Sequence, residues 1–366
     1  MKALLVAEGS GGHLIPAFEV ARRLVGAGAR VKVWYAQRDQ TASLVRALTE
    51  AQTEAVVDVD PIPIDSTAHS LGRLWQCGQL WSRAQHCFDT FAPDVVVGFG
   101  GWISTPIMLA AKQRRIGCLL HEQNVVLGRA NRWLAPWVDR IAVSFPETQA
   151  GLNGASSVMT GMPVRKTIGH VLRSHAAQQF GFRTDGPTLL VLGGSQGSRV
   201  INRLMERVAA QLSAKERQTW QFLHITGSAD EARIRGAYAA CQLTSWVAPF
   251  LAQMDAAYAL ADVVIARAGA STIAELARCG TPAILIPYPY AGGHQRANAQ
   301  VVQDLGGGLM LEESDMTPAR VVDAIRRILT DTRLRAMMGR QMRMLDISDA
   351  AERLSKTILQ LSSHGH

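Results

Sequence analysis

The sequence predicts an α/β protein built from two doubly wound parallel-sheet domains in tandem. Short runs of β-branched and aliphatic residues alternate with longer amphipathic stretches, which is the pattern of a parallel sheet covered by helices. This pattern starts twice, because the buried runs Lys2–Ala7 and Thr188–Leu192 each lead into a glycine-rich turn. The length of 366 residues also fits two domains of ordinary size.

The apolar runs predict six strands in each half of the chain. Those of the first half are Lys2–Ala7, Val31–Tyr35, Val56–Val59, Asp94–Phe99, Gly117–His121 and Ile141–Ser144. Those of the second half are Thr188–Leu192, Gln221–Thr226, Ser245–Ala248, Val263–Ala266, Ala283–Pro287 and Gly308–Leu311. Helical periodicity predicts helices over Ile15–Gly26, Thr41–Glu50, Leu71–Phe91, Pro106–Gln113, Arg199–Leu212, Met254–Leu260, Ser271–Arg278 and Gln295–Leu305.

A domain boundary is predicted near Thr160–Lys166, where glycine and proline interrupt the pattern. We therefore expect an N-terminal domain over residues 1–163 and a C-terminal domain over 164–346. The last residues, 347–366, are expected to form a helix that packs toward the N-terminal domain.

The tail of the chain predicts further helices. Pro318 marks a helix start, and Thr330 and Gly339 are expected to break the helical pattern that follows.

Composition and charge exclude several classes of protein. With 48% hydrophobic and 19% charged residues, the chain is neither disordered nor a disulfide scaffold. Its net charge of +8 suits nucleic acid, an anionic membrane surface or a phosphorylated substrate equally well. The five cysteines lack ligand spacing, which predicts reduced thiols. We expect no signal peptide and no membrane span, since no apolar run approaches the ~18–20 residues that a span needs.

A glycine-rich turn, Gly9-Ser10-Gly11-Gly12-His13, follows the first predicted strand. Glycines let backbone N–H groups approach an anion, and a helix N-terminus adds partial positive charge. The turn lacks the dinucleotide pattern G-x-G-x-x-G, which disfavours an NAD enzyme. His13 is expected to point into a crevice at the sheet edge, where a neutral imidazole accepts a proton from an attacking hydroxyl. A turn without a ligand, and a histidine that only packs the helix, are the alternatives.

Two other strand ends in the first half are also rich in glycine or polar residues. Gly100-Gly101 follows one strand, and His121-Glu122-Gln123-Asn124 ends the next. Polar side chains directly after an apolar strand usually face a site, because a core cannot satisfy them. We therefore expect three strand ends to line one rim.

The second half repeats this arrangement with different chemistry. The turn Gly193–Gly197 is of phosphate-binding size, and Ser271 or Thr272 is predicted to cap a later helix. Glu275 lies one turn into that helix, where it accepts hydrogen bonds from a sugar diol or only favours the helix dipole. The donor-rich loop 292–298 suits a diphosphate. Because this loop has no clustered carboxylates to hold Mg²⁺ between phosphates, we predict no metal.

These motifs, in this order, resemble the MurG family of inverting glycosyltransferases, within glycosyltransferase family 28. The matching segments are Gly9–His13 with Pro16-Ala17, Gly98–Ser104 with Pro106, His121–Asn124, Thr160–Arg165, Gly193–Ser198, Arg267–Glu275, and Pro287-Tyr288 with His294-Gln295 and Asn298-Ala299. The resemblance implies the GT-B architecture, in which two Rossmann-like domains face a cleft, with the acceptor on the first and the donor mostly on the second.

The resemblance implies a hexosyltransferase of peptidoglycan synthesis. It would move N-acetylglucosamine (GlcNAc) from UDP-GlcNAc to the 4-hydroxyl of N-acetylmuramic acid (MurNAc) in lipid I, which is undecaprenyl-pyrophosphoryl-MurNAc-pentapeptide, and so form lipid II. His13 and Glu122 are the two candidate bases, and the resemblance leaves open which one acts. No protein-bound metal or other cofactor is implied.

The resemblance also assigns substrate contacts residue by residue. The implied UDP-GlcNAc contacts are Ser10, Gly11, Gly12, Asn124, Arg165, Ser195, Leu251, Ala270, Ser271, Thr272, Ile273, Ala274, Glu275 and Gln295. Within this set, the Leu251 backbone would meet uracil and Glu275 the ribose hydroxyls. Gly100, Gly101 and Ser104 are expected at the acceptor.

Two residues depart from the family pattern. Glu8 stands where the family more often has glycine, which adds a negative charge beside the first turn, and we expect its side chain to point away. His294 stands at a position that is often glutamine.

A lipid-linked acceptor predicts a membrane-facing surface. Leu71, Leu74, Trp75 and Trp81 place large apolar groups on one helical segment, and six basic against two acidic residues lie between Lys112 and Arg140. Aromatic and basic side chains together suit an anionic bilayer surface, although a core-facing stripe is the alternative. We expect a peripheral protein on the cytoplasmic face of the inner membrane, with cell-wall synthesis proteins as possible partners and no nucleic acid.

Two other classes of function remain open to the sequence. The first is another GT-B enzyme, such as a diacylglycerol glycosyltransferase or a UDP-GlcNAc 2-epimerase. An epimerase is less favoured, because it would require a set of carboxylates in place of the Gly100–Pro106 motif and none is present there. A non-catalytic protein that binds a nucleotide-sugar or nucleic acid is the other.

Overall fold

Two separate parallel sheets organise the chain, as the repeated pattern predicts. The computed structural model describes residues 1–37, 41–50, 57–65, 70–152, 156–194, 197–290 and 292–363. The chain divides into a first unit of Met1–Arg165 with Ile347–His366 and a second unit of Lys166–Asp346.

In the described part of the first unit, seven parallel strands form one sheet in the order β3-β2-β1-β4-β5-β6-β7. The strands are β1 Lys2–Ala7, β2 Arg30–Gln37, β3 Asp58–Pro63, β4 Val95–Gly98, β5 Gly117–Glu122, β6 Arg140–Val143 and β7 Ser157–Met159. The helices are α1 Gly11–Gly26, α2 Thr41–Glu50, α3 Ser70–Thr90, α4 Ser104–Gln113, α5 Arg129–Leu134, α6 Pro146–Ala150 and α16 Ala350–Ser363, with a 3₁₀ turn at Ala135–Trp137.

Alternate residues of β1 pack on opposite faces of this sheet, as the two-residue period of a strand requires. Leu5 packs in a core that includes Leu354 and Ile358 of α16, whereas Leu4 packs with Leu80 of α3. Because α16 also packs against α1, the end of the chain forms part of the first unit.

In the described part of the second unit, six parallel strands follow the order β10-β9-β8-β11-β12-β13. The strands are β8 Thr188–Leu192, β9 Gln221–Ile225, β10 Thr244–Ala248, β11 Val263–Ala266, β12 Ala283–Leu285 and β13 Gly308–Met310. The helices are α7 Arg173–Phe180, α8 Arg199–Gln211, α9 Ala214–Thr219, α10 Glu231–Ala240, α11 Met254–Leu260, α12 Ala270–Cys279, α13 His294–Leu305, α14 Pro318–Thr330 and α15 Thr332–Arg343, with a 3₁₀ turn at Glu313–Asp315.

Two local predictions are corrected by the structure. Gly339 does not break the helical tail, because α15 runs through it. A Cβ there would lie 2.6 Å from the Gly280 carbonyl oxygen, so the glycine permits close packing. The third strand, predicted over Val56–Val59, runs over Asp58–Pro63 and does not include Val57, while Val56 lies outside the described residues. Its prolines are tolerated because β3 lies at the sheet edge.

Several short elements were not predicted, among them β7, α5, α6, α7, α9 and α10. The predicted ends of the tail helix at Pro318 and Thr330 are confirmed: α14 spans these two residues, and the Thr317 hydroxyl caps it. Within the described ranges, no helix combines the length and apolar character needed to cross a membrane.

Candidate active site

The order of the first sheet brings three predicted strand ends together. β1 lies next to β4, and β4 lies next to β5, so their carboxyl ends share one edge. The strand order reverses between β1 and β4, because β2 and β3 lie on the other side of β1. Such a switch point is where open α/β sheets bind ligands. The topology therefore supplies the rim that the sequence predicts.

His13 lies at this edge, in the first turn of α1. The helix begins at Gly11 and Gly12, and Ser10 is its N-cap residue. The Ser10 Oγ lies 2.7 Å from the His13 Nδ1, so the two side chains share a hydrogen bond. Ser10 thereby fixes the orientation of the imidazole instead of capping the helix with its side chain.

The Gly100-Gly101 turn lies directly against His13 and Glu8. Both glycines have positive φ, at 90° and 86°. A Cβ at Gly100 would lie 3.1 Å from the His13 Nε2, and a Cβ at Gly101 would overlap the Glu8 carboxylate. Glycine is thus required here both for backbone conformation and for space.

Glu122 is buried, and four donors surround its carboxylate. Oε1 accepts hydrogen bonds from the Asn124 backbone N–H at 2.9 Å and from the Asn124 side-chain amide at 3.1 Å. Oε2 accepts from the Gly128 N–H at 2.9 Å and from the Asn131 Nδ2 at 2.8 Å. Through these hydrogen bonds Glu122 holds the conformation of the loop that follows β5.

His121 is fully buried one residue earlier on β5. Its Nε2 lies 3.2 Å from the Gly161 carbonyl oxygen, and its ring lies 5.5 Å from that of Phe99. Burial, with a smaller contribution from the nearby His13, lowers the pKa of His121 to about 4 against the opposing effect of the hydrogen bond to Gly161. His121 is therefore a neutral structural residue at pH 7.

Ser104, expected at the acceptor, is instead fully buried. Its hydroxyl donates a 3.0 Å hydrogen bond to the Gly100 carbonyl, at the start of α4. This contact closes the Gly100-Gly101 turn, which leaves the hydroxyl no surface on which to meet a substrate.

The second sheet has the same switch between β8 and β11, with β12 next to β11. Gly193 and Gly197 have no room for a Cβ. The backbone of Gly197 and Ser198 occupies that space at Gly193, and the Thr226 carbonyl occupies it at Gly197. Ser198 ends this turn and caps α8 through the Ile201 N–H. Ser195, a predicted donor contact, lies outside the described residues.

Helix α12 begins at the carboxyl end of β11 with Ala270. Gly269 is the N-cap residue, so Ser271 and Thr272 lie inside the first turn and do not cap the helix as expected. Ser271, Thr272 and Ala274 are half-buried, whereas Ala270 and Ile273 are buried. The first turn of α12 thus presents backbone N–H groups and two hydroxyl side chains at the sheet edge.

Glu275 is buried one turn further along α12. Its Oε2 accepts a 2.8 Å hydrogen bond from the hydroxyl of Tyr258, which lies on α11. Tyr258 was not predicted, and a tyrosine inside a short amphipathic helix gives no sign in the sequence that it holds an acid.

Arg267 is a further buried residue that sequence reasoning did not assign to the site. Its guanidinium donates to the Ser198 Oγ at 3.0 Å and to the Ile286 and Pro287 carbonyls at 3.2 Å. It also pairs with Glu313 at 2.5 Å. Arg267 therefore ties the loops after β8, β11 and β12 together. An arginine directly after the apolar strand VVIA is the signal that predicts such a position.

The remaining predicted donor residues lie at other loops. Gln295, in the first turn of α13, accepts a 2.9 Å hydrogen bond from the Tyr288 N–H and so holds the loop after β12. Leu251 is half-buried after β10, two strands away from β8. Arg165 is half-buried and ends the first of the two segments that form the first unit.

The predicted membrane helix α3 exposes only part of its apolar set. Leu74 and Trp75 are 69% and 67% exposed, whereas Trp81 is half-buried and packs against the core, which removes it from the expected patch. The side chain of Leu71 lies outside the described residues. Two tryptophans that were not predicted, Trp133 and Trp137, are 54% and 52% exposed.

The basic residues near these side chains differ in their pairing. Lys112 pairs with Asp139 at 2.6 Å, and Arg114 pairs with Asp89 at 3.0 Å. Arg129 and Arg132 lie exposed on α5, the helix that carries Trp133. We define the exposed apolar patch as Leu74, Trp75, Trp133 and Trp137, on helices α3 and α5 and the 3₁₀ turn, with α4 in contact with both helices.

The described residues contain no group of three or more His, Cys, Asp or Glu side chains that could hold a metal ion. Metal independence of the site stays a prediction.

Two family models match the chain. The glycosyltransferase family 28 N-terminal domain matches residues 3–143, and the glycosyltransferase family 28 C-terminal domain matches residues 188–354. The first match runs from β1 to β6 and ends before β7, and the second contains all six described strands of the second sheet.

Curated relatives match over almost the whole chain. A UDP-N-acetylglucosamine--N-acetylmuramyl-(pentapeptide) pyrophosphoryl-undecaprenol N-acetylglucosamine transferase from Syntrophotalea carbinolica is 36% identical over 364 residues, covering 97% of both chains. The protein of the same name from Nitrosococcus oceani is 36% identical over 370 residues, covering 99% of both.

Solved structures share the fold. Acinetobacter baumannii MurG superposes with a TM-score of 0.74 at 26% identity, covering 98% of this chain and 99% of that chain. A UDP-GlcNAc 2-epimerase from Neisseria meningitidis has a TM-score of 0.72 at 13% identity, covering 98% of this chain and 100% of that one. At that identity the epimerase shares the architecture alone.

Proposed function

This chain belongs to glycosyltransferase family 28, and we propose that His13 is the base with which it transfers GlcNAc from UDP-GlcNAc to lipid I. The activity is that of its relatives, a UDP-GlcNAc-dependent hexosyltransferase of peptidoglycan synthesis. The observation that supports His13 as the base is the position of its two ring nitrogens. Nδ1 lies within hydrogen-bond distance of Ser10, and Nε2 lies beside the Gly100 turn.

The two ring nitrogens of His13 have different tasks in this proposal. For Nε2 to accept a proton, Nδ1 must carry the hydrogen and donate it to the Ser10 Oγ, 2.7 Å away. Ser10 thus selects the tautomer and holds the ring, while Gly100 leaves room beside Nε2 for the sugar hydroxyl. Glycine rather than a larger residue at 100 is what makes Nε2 approachable.

Glu122 suits this task less well than His13. Its two oxygens accept four hydrogen bonds from the loop they organise, and the residue is almost completely buried. A carboxylate has about four acceptor positions, so these four hydrogen bonds leave none for an acceptor hydroxyl. We therefore assign Glu122 a positioning role, in which it shapes the loop that carries Asn124.

The second unit supplies the donor half of the reaction. The first turn of α12 provides backbone N–H groups and the hydroxyls of Ser271 and Thr272 to the diphosphate. Glu275, held by Tyr258, accepts from the ribose hydroxyls. Arg267 is a positioning residue, because it braces the three loops that surround this end of the sheet.

The chemical step is a single displacement with inversion. The acceptor 4-hydroxyl oxygen forms a bond to the anomeric carbon, while the bond from that carbon to the β-phosphate oxygen breaks. The hydroxyl proton passes to His13 Nε2, and UDP leaves with the bonding electron pair. Catalysis then comes from positioning, from the base and from electrostatic stabilisation of the departing diphosphate.

We propose that the protein is peripheral on the cytoplasmic face of the membrane, and the exposed apolar patch supports contact with a membrane surface. Trp75 and Trp133 are large, exposed aromatics, and Arg129 and Arg132 add positive charge on α5. Aromatic and basic side chains together bind an anionic bilayer interface. This surface belongs to the first unit, as does the proposed base.

The test of the base is UDP release from UDP-GlcNAc with a soluble lipid I analogue. We expect His13→Ala to lower kcat by about 10²- to 10⁴-fold with little change in the KM for UDP-GlcNAc. His170→Ala removes an exposed histidine of the second unit and is the matched control. Full kcat in His13→Ala would show that another group takes the proton. Absence of UDP release by the wild-type protein would overturn the transferase function itself.

A further inference from the structure

A cavity of about 550 Å³ opens in the second unit at the end of the sheet opposite the donor residues. It lies between α11, α12 and α15, where Asp262 precedes β11 and Pro282 precedes β12. The proposed donor contacts on α12 lie at that helix's first turn, and the cavity lies at its last. The ten residues of α12 separate the two ends by about 15 Å. The lining includes Tyr258, which also holds Glu275, but the charged groups of the cavity lie at the opposite end of α12 from the proposed diphosphate contacts.

Arginines dominate the charge of this cavity. In the described part of the chain its lining contains Arg278, Arg335, Arg340 and Arg343 against the single carboxylate of Asp262. That carboxylate is already neutralised, because its Oδ2 accepts from Arg173 and from the Thr188 N–H, each at 2.8 Å. The cavity thus carries an excess of positive charge.

One of the arginines, Arg278, is hydrogen-bonded to an acid, because its Nε donates to Asp346 at 2.9 Å. Arg335 and Arg343 donate to the neutral carbonyls of Leu329 and Cys279, at 2.8 and 3.0 Å. Arg340 and Arg343 are exposed on the last turn of α15, whereas Arg335 is half-buried. The charge available to a ligand therefore comes chiefly from these two side chains, with Arg335 beside them.

Close packing of glycines holds Arg343 in place. Gly280 has a φ of 65°, and a Cβ there would overlap the Arg343 guanidinium. Gly339 allows α15 to approach the Gly280 carbonyl, because it has no Cβ that would collide with that oxygen. Arg343 then lies across the turn and donates a 3.0 Å hydrogen bond to the Cys279 carbonyl. The side chain is thus ordered before any ligand arrives.

We propose that this arginine cavity binds a phosphorylated anion that carries at least two negative charges. Guanidinium groups match phosphate oxygens in geometry and charge, and 550 Å³ is the size of a small-molecule site. The same headgroup chemistry occurs in a soluble phosphate ester and in an anionic lipid such as phosphatidic acid. Either source satisfies the proposal, and the experiment separates them.

The experiment is calorimetric titration of the full chain with inorganic pyrophosphate while saturating UDP occupies the donor site. The proposed function enters this experiment only through the assumption that UDP fills the donor site. A separate titration with UDP, carried out first, tests that assumption. We expect one pyrophosphate to bind per chain, and Arg340→Gln/Arg343→Gln to weaken that binding at least tenfold. Arg327→Gln/Arg333→Gln removes two exposed arginines outside the cavity and is expected to bind as the wild type does. The single change Arg340→Gln, at an exposed side chain, provides the same test with less risk to folding.

Two results would overturn the proposal: no pyrophosphate binding by the UDP-saturated wild type, or equal binding by the wild type and the Arg340/Arg343 variant. Co-sedimentation with phosphatidylcholine vesicles that contain phosphatidic acid identifies the source of the anion. Loss of vesicle binding in the Arg340/Arg343 variant but not in the Arg327/Arg333 variant indicates a lipid headgroup. Unchanged vesicle binding together with lost pyrophosphate binding indicates a soluble ligand.

Discussion

The carboxylate of Glu8 lies against Gly101, in the space that a Cβ at residue 101 would occupy. Glu8 is buried at the end of β1, and Gly101 belongs to the turn after the neighbouring strand β4. The unusual acid beside the first glycine turn therefore packs against the second turn. This contact joins the loop after β1, which leads to His13, to the loop after β4, which packs against His13.

Gly101→Ala is expected to destabilise the first unit by about 2–4 kcal/mol, since it combines strain at positive φ with overlap of the Glu8 side chain. Urea unfolding measures the loss. Gly28→Ala is the matched control, because Gly28 also has positive φ but has open space around its Cβ position. Adding Glu8→Ala is expected to restore part of the stability, and a double mutant no more stable than Gly101→Ala would contradict the contact.

Glu122→Gln is expected to lower the free energy of unfolding by about 1–3 kcal/mol, because an amide cannot accept all four hydrogen bonds that the carboxylate accepts. His13→Ala, at a half-buried residue, is expected to cost less stability and more turnover. Thermal unfolding and UDP release measured on both variants separate the two roles. A Glu122→Gln protein with native stability and strongly reduced kcat would instead point to Glu122 as the base.

Tyr258→Phe is expected to raise the KM for UDP-GlcNAc about fivefold, equivalent to about 1 kcal/mol, because it removes the hydrogen bond that orients Glu275. Glu275→Ala is expected to raise this KM further. Steady-state kinetics at varied concentrations of UDP-GlcNAc measure this KM. Should Tyr258→Phe keep the wild-type KM, the tyrosine would not position the acid for ribose.

Trp75→Ser/Trp133→Ser is expected to reduce binding to phosphatidylglycerol-containing vesicles at least tenfold, since both indoles are exposed in the proposed membrane surface. Co-sedimentation measures the bound fraction. Tyr290→Ser removes an exposed aromatic of the second unit and is the control. Equal binding by the tryptophan variant and the wild type would exclude this patch as the anchor.

Stability is expected to fall as pH drops from 7 to 5. Burial lowers the pKa of His121 to about 4 and that of His224 to about 3, whereas an unfolded histidine titrates near 6.5. The unfolded chain therefore binds protons first, so the stabilisation is complete above pH 6.5 and is lost as pH falls toward the folded values. The loss at pH 5 is on the order of 1–2 kcal/mol per histidine.

Urea unfolding at pH 7 and pH 5 checks this expectation. In His121→Gln the first-unit transition is expected to depend less on pH, whereas the exposed control His170→Gln keeps the full dependence. An unchanged pH dependence in His121→Gln would show that another group causes the loss.

The architecture and the positions of the site loops could be predicted from the sequence. Apolar runs and glycine turns are local signals, because a buried parallel strand must be apolar and a tight βα turn needs glycine. All six strands predicted in the second half are present, and Gly100-Gly101 has the positive φ that favours glycine. Edge elements such as β3 and short helices such as α10 were misplaced or missed, since their residues carry weaker patterns.

Contacts between loops that are distant in sequence depend on the tertiary structure. Strand order places the Gly100-Gly101 turn, which follows β4, against His13 and Glu8, which follow β1. The same holds for Tyr258 with Glu275 and for the arginines around Gly280, which come from helices distant in sequence. Hydrogen bonds and burial depend on distances in space, and a pattern of residue types along the chain carries no such distances.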